Sequence, residues 1–150
     1  MSDEDKKRNF IYVDAEDFEF YQELKKSHYF KDKSFKNIDL FLFAALVGLN
    51  IVGKPSPLEN VNKKKDYIRV NDNLNKDSMV ILKSLAISKF DDVNVLSNND
   101  KIFSFCEDYA NSGIKRIQSW YNDKEETFDN ILTKELLKCW DELDFDKIEV

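Results

Sequence analysis

Residues Asn37 to Leu49 read NIDLFLFAALVGL, and no charged residue follows Asp39 until Lys54. Leu40 to Val47 are apolar at every position, so a helix here has no polar side to turn toward water. Such a helix is enclosed by other elements rather than laid on a surface. It is too short to cross a bilayer, which needs roughly 20 apolar residues, so it reads as a buried core helix. Asn37 is placed to cap its start, Asp39 suits the positive end of the helix dipole, and Gly48 is placed to stop it.

Working outward, the chain of 150 residues is long enough for a real hydrophobic core and reads as one domain. Apolar residues make up 42% of it, which argues against disorder, while 35% charged residues imply a heavily solvated exterior. Three glycines and two prolines are too few for a sandwich or barrel built from many tight turns. The net charge of -6 disfavours nucleic-acid binding through the overall field and leaves only a local basic patch. Cys106 and Cys139 stand alone in helical patterns and read as reduced, buried thiols of a cytosolic protein. The N-terminal MSDEDKKRN has no apolar signal core, so the expected compartment is the cytoplasm, with no membrane contact.

Residues 1–9 read as a mobile tail. Phe10 to Val13 is β-branched and aromatic, a strand candidate, and Asp14 then caps a helix to Lys26 that buries Phe18, Tyr21, Leu24 and Phe20. After the central helix, Lys54-Pro55-Ser56-Pro57-Leu58 must be extended or turned. Tyr67 to Val70 is a second strand candidate. A helix from Asn75 or Asp77 to about Lys89 directs Met79, Ile81, Leu82, Leu85 and Ala86 inward. The longest helical pattern runs from a cap at residues 98–100 to Tyr121, and Gly113 within it marks a break, a kink or a close packing contact. A last helix from about Thr127 to Trp140 buries Phe128, Ile131, Leu132, Leu136 and Trp140, ahead of an acidic tail over 141–150. The expected fold is mainly α, a single-domain bundle of about five helices around the buried central one, with at most a small two-stranded β-ribbon.

Catalytic chemistry finds little support in these residues. The single histidine, His28, lies in a lysine-rich loop without partners of recognisable spacing. Zinc-ligand spacing and phosphate-cradling glycine motifs are missing, and the acid pairs Glu107-Asp108 and Asp91-Asp92 read as solvated helix or loop residues rather than metal ligands. No enzyme activity, cofactor or metal is expected.

Binding is the better-supported class. Lys31, Lys33 and Lys36 cluster in one loop, and Lys54 with Lys63, Lys64 and Lys65 in another, beside Tyr29, Phe30 and Tyr67. If the two loops shared a face they could neutralise phosphates, although lysine is also simply a common loop residue. The order strand, helix, helix also allows a ribbon-helix-helix-like start presenting Arg8, Phe10 and Tyr12, or Asn9, Ile11 and Val13, to DNA. In the tail, Leu143, Phe145 and Ile148 among acids suit docking into an apolar groove of a partner.

The run IDLFLFAALVGLNIVGKPSPL, with the later YANSGI at Tyr109 to Ile114, resembles the small accessory proteins encoded beside DNA phosphorothioation (dnd) and related phage-defence genes. The likeness extends over roughly Asp14 to Tyr121, and where that family often has two glycines after YAN this chain has Ser112-Gly113. It implies membership of a multi-gene defence system acting on DNA, with other protein subunits as partners, DNA reached through the complex, and no catalytic residue. Whether further copies of the chain assemble is left open. The motif residues Phe41, Phe43, Ala44, Ala45, Gly48, Tyr109, Ala110, Asn111 and Gly113 are of types that build packing and turns, and structural roles are expected for all of them. On this reading the protein is a non-catalytic scaffolding subunit of an anti-phage complex. The alternative is a DNA-binding subunit that uses the lysine loops.

Overall fold

The computed structural model describes residues 8–32, 34–58, 63–70, 74–90 and 93–142. Lys33, Asp91, Asp92, Leu143, Phe145 and Ile148 fall outside them. The fold is mainly α, with five α-helices and one two-stranded antiparallel sheet among the described residues. The chain divides into two compact units, Met1–Arg116 and Ile117–Val150.

In the first unit, β1 (Phe10–Asp14) pairs with β2 (Lys64–Arg69), from Phe10 opposite Arg69 to Asp14 opposite Lys64, with an irregularity between Ile11 and Tyr12. The two-residue period of a strand sends Ile11 and Val13 inward, where they meet the same requirement as Ile68: all three are buried. β2 starts three residues ahead of the expected Tyr67, because pairing with β1 draws Lys64 and Lys65 into the ladder.

Helix α1 (Ala15–Lys26) opens on Asp14, whose carboxylate accepts the Glu16 N–H at 3.0 Å. Phe20, Tyr21 and Leu24 are its buried apolar set, with Phe18 half-buried. Helix α2 is Asn37–Val47, and its cap is Lys36, not Asn37: the Lys36 N–H donates to the Asp39 carboxylate at 2.8 Å. Asn37 is the first helical residue, and its side-chain oxygen accepts from Lys25 Nζ at 2.8 Å. Ile38, Leu40, Phe41, Leu42, Ala44, Ala45 and Val47 are buried and Phe43 is half-buried, but Leu46 is 40% exposed, so the apolar rod is enclosed on most of its circumference and not all of it. Each large side chain so enclosed contributes roughly 1.5–3 kcal/mol relative to exposure.

Gly48 does not stop the rod. It keeps right-handed helical dihedrals (φ -60°, ψ -43°), and the chain continues through one wide π turn, Gly48–Val52, to Gly53. Gly53 has φ 76°, the left-handed conformation that a side chain resists, and donates its N–H to the Gly48 carbonyl at 2.8 Å.

Helix α3 (Lys76–Phe90) is capped by Asn75, which accepts the Ser78 N–H at 2.8 Å. Leu82, Leu85 and Ala86 turn inward, whereas Ile81, expected inside, is 41% exposed, because the buried face runs through Ser78 instead. A short 3-10 turn, Val93–Ser97, precedes α4 (Asn99–Tyr121), which is capped by Asn98. Helix α4 runs unbroken through Gly113.

In the second unit, Asp123 accepts the Glu125 and Glu126 N–H groups at 2.8 and 2.9 Å and turns the chain toward α5 (Phe128–Glu142). Phe128 and Ile131 are buried, and Phe128 meets Tyr121 edge to face at 5.9 Å. Leu136 and Trp140, expected in the core, are each 62% exposed. Their helical spacing is real, but the face they form stays largely exposed among the described residues.

Candidate functional site

The two motif segments are brought together in the first unit. A Cβ placed on Gly113 would lie 2.8 Å from Gly48 N and nearer still to the Ala44 carbonyl oxygen; one placed on Gly48 would lie 2.8 Å from Ser112 Oγ and press on the Tyr109 carbonyl. Glycine at both positions therefore lets α2 and α4 approach backbone to backbone. Ala44, Ala45 and Ala110 are fully buried near this seam, small residues consistent with close approach. Phe41 is fully enclosed, while Phe43 is half-buried and contacts Phe30 with ring centroids 5.9 Å apart.

The polar members of the motifs fasten the proline loop to α4. Asn111 donates from Nδ2 to the Ser56 carbonyl at 2.8 Å, the Ser56 N–H donates to the Asp108 carbonyl at 2.9 Å, and the Leu58 N–H reaches the Asp108 carboxylate at 3.4 Å. Asn111 thus satisfies a loop carbonyl, and the helix it sits on has no break at Gly113 for it to cap. Its oxygen accepts from Lys115 Nζ at 2.8 Å, and the same ammonium holds the buried Asp17 at 2.7 Å. Nearby, Glu107 accepts from Arg8 at 2.7 Å and from the Tyr12 N–H at 2.5 Å.

Each of these acids sits in or near the interior and is engaged by a donor. Burial raises the Glu107 pKa, opposed by Arg8 and the Tyr12 N–H; burial likewise raises Asp17, opposed by Lys115, and Asp108, opposed by the Leu58 N–H. The space between Glu107, Asn111 and Ile114 has no room for even a water molecule. No group of three or more His, Cys, Asp or Glu residues among the described ones is arranged to hold a metal ion. His28 is exposed and stacks on Tyr29 at 3.9 Å. Arg8 and Tyr12 are engaged internally, with the guanidinium also 4.8 Å over the Tyr12 ring, so β1 offers neither as a free groove-reading group.

The lysines are partly gathered. The end of α1, the loop after it, the start of α2 and strand β2 enclose an open groove of about 630 Å³, lined by Lys25, Lys26, Lys31, Phe18, Asp66 and Tyr67. A smaller hollow of about 180 Å³ shares Lys25 and Tyr67 and adds Lys36. Lys65, on β2, lies beside the groove, its ammonium 4.4 Å over the ring of the lining residue Phe18. Lys31 thus lines the groove, Lys36 the hollow beside it, and Lys65 borders the groove through Phe18. Lys64 turns instead to the Tyr12 ring at 5.9 Å, and Lys54 and Lys63 are exposed outside the groove lining. Sequence reasoning missed Lys25 and Lys26, whose position in the last turn of a helix already had an explanation in the helix dipole.

A third feature is apolar. Leu136, Leu137 and Trp140 on α5 are 62%, 57% and 62% exposed, and their spacing of i, i+1 and i+4 sets them on one side of the helix. No helix among the described residues is long and apolar enough to cross a membrane.

Neither a curated protein nor a solved structure gives a match to the chain. Residues 11–142 match the family described as DNA sulphur modification system-associated protein 4, dnd-associated. That span takes in both glycines of the seam, the proline loop and the asparagine that fastens it, and the chain belongs to this family.

Proposed function

We propose that the protein is a non-catalytic accessory subunit of a DNA sulphur modification system, working in the cytoplasm by protein–protein contact within a complex directed at foreign DNA. The observation that carries this reading is the exposure of Leu136, Leu137 and Trp140 on one side of α5. Large hydrophobic groups clustered on a helix surface mark interaction sites, and tryptophan is among the residues that dominate interface energetics. The occupant is a groove on another protein subunit of the same system, entered helix-first through Leu136, Leu137 and Trp140. Family membership supports that choice of partner, and the buried acids Glu107 and Asp17, each engaged by a cation, support a structural rather than a chemical use of the interior.

The test is co-purification of the full chain with the other subunits of its system, using wild type and the triple variant Leu136→Ser, Leu137→Ser, Trp140→Ser. The reading expects a stable complex for wild type and loss of it for the variant, with helical circular dichroism unchanged. Recovery of the wild-type protein alone, recovery only as a self-associated oligomer, or equal recovery of variant and wild-type complexes contradicts it.

A further inference from the structure

We propose that the groove between α1 and β2 binds the backbone of single-stranded nucleic acid. This goes beyond the docking reading and rests on a different surface. Lys25, Lys26 and Lys31 line it, Lys36 lines the smaller hollow beside it, and Lys65 lies over the ring of the lining residue Phe18, all on a chain whose net charge is -6. None of the five forms an ion pair among the described residues; Asp66 is the one acid in the lining. Like charges gathered around a single acid leave an excess that destabilises a fold and is offset when a polyanion enters. A local basic groove on an acidic protein also favours entry at that place over binding elsewhere on the surface.

The shape of the site selects the kind of polyanion. A volume of about 630 Å³, continued by the smaller hollow beside Tyr67, exceeds what one phosphate group fills and suits a short run of extended strand. The walls are concave, whereas an element that reads duplex DNA must project into a groove of the duplex. Phe18 and Tyr67 lie at the site, their rings 6.2 Å apart and nearly perpendicular. Aromatic rings beside lysines are the recurring means of holding unpaired bases, by stacking, while the cations follow the backbone. Lys65 occupies one face of the Phe18 ring. An arriving base takes that face and releases the ammonium to a neighbouring phosphate.

The experiment is fluorescence anisotropy of the full chain with a short labelled oligothymidylate at low salt. The comparison pairs Lys26→Glu/Lys31→Glu with Lys76→Glu/Lys89→Glu, which changes net charge equally at exposed sites of α3 outside the groove. The proposal expects binding by wild type and a salt dependence of slope roughly -3, from about -0.7 for each of about four phosphates. It also expects a loss of about tenfold or more in the groove variant, from the removal of about two such contacts, and a clearly smaller loss in the control. Absence of binding at low salt, equal losses in the two variants, or duplex of the same length binding as tightly as single strand overturns it. Each of these outcomes leaves the α5 docking test untouched.

Discussion

Gly48 and Gly113 each occupy a position where a side chain would collide with the other's helix: the Cβ of one would strike the Tyr109 carbonyl, and that of the other the Ala44 carbonyl and Gly48 N. Helix propensity alone predicts that alanine at either position stabilises a helix, by about 1 kcal/mol. The seam predicts the opposite sign. Gly113→Ala and Gly48→Ala should each destabilise the protein by about 1–3 kcal/mol or more, since the obstructing atoms are backbone and cannot swing aside. Urea unfolding of the two variants checks this.

Asn111→Ala should free the proline loop without unfolding the core. It leaves the Ser56 carbonyl without that amide donor and takes one acceptor from Lys115, at a cost of about 1–3 kcal/mol. The expected signature is a lower unfolding midpoint together with faster proteolysis within residues 54–58.

The pH dependence of stability has a definite sign at Glu107. Burial raises its pKa in the folded protein above the ordinary value of 4.5, so the folded state binds the proton more tightly than the unfolded chain. Stability from this group is therefore fully present below 4.5 and is lost as pH rises through the raised folded value. Wild-type stability, measured relative to Glu107→Gln, should fall on going from about pH 4.5 toward neutrality. A difference that grows with pH would mean that Arg8 and the Tyr12 N–H outweigh burial.

Thiol reactivity should differ between the two cysteines. Cys106 is buried beside the Leu82 carbonyl, and burial pushes its thiol up to about 12, leaving almost no thiolate at neutral pH. Cys139, expected to be buried like Cys106, is only half-buried, on a helix whose neighbouring Trp140 is exposed. A thiol reagent should modify Cys139 in the native protein and reach Cys106 only on unfolding, which a Cys139→Ser variant resolves directly.

Much of the architecture was legible because it depends on local pattern. Ile11 and Val13 alternate as a strand requires, and the run Leu40 to Val47 has no polar side, so both could be assigned to the interior without knowing their neighbours, an assignment that holds except at Leu46, which is 40% exposed. Gly48 was misread as a helix stop because a glycine announces only a missing side chain. Whether that absence serves a turn or a close approach depends on Tyr109, far along the chain, and the turn was made by Gly53. Leu136 and Trp140 show the same limit. Their periodicity specifies a helix with an apolar side, but periodicity is identical whether that side is covered by its own chain or by another. The lysine groove needed one further fact, that β2 passes beside α1, before Lys25, Lys31 and Lys65 could be seen as one feature.

The apolar side of α5 carries the functional account, and hydrogen–deuterium exchange of the protein alone and in its purified complex tests it most directly. The account predicts added protection concentrated in residues 128–142 when the complex forms, centred on the segment from Leu136 to Trp140. Unchanged exchange there, with protection appearing elsewhere in the chain, would contradict it.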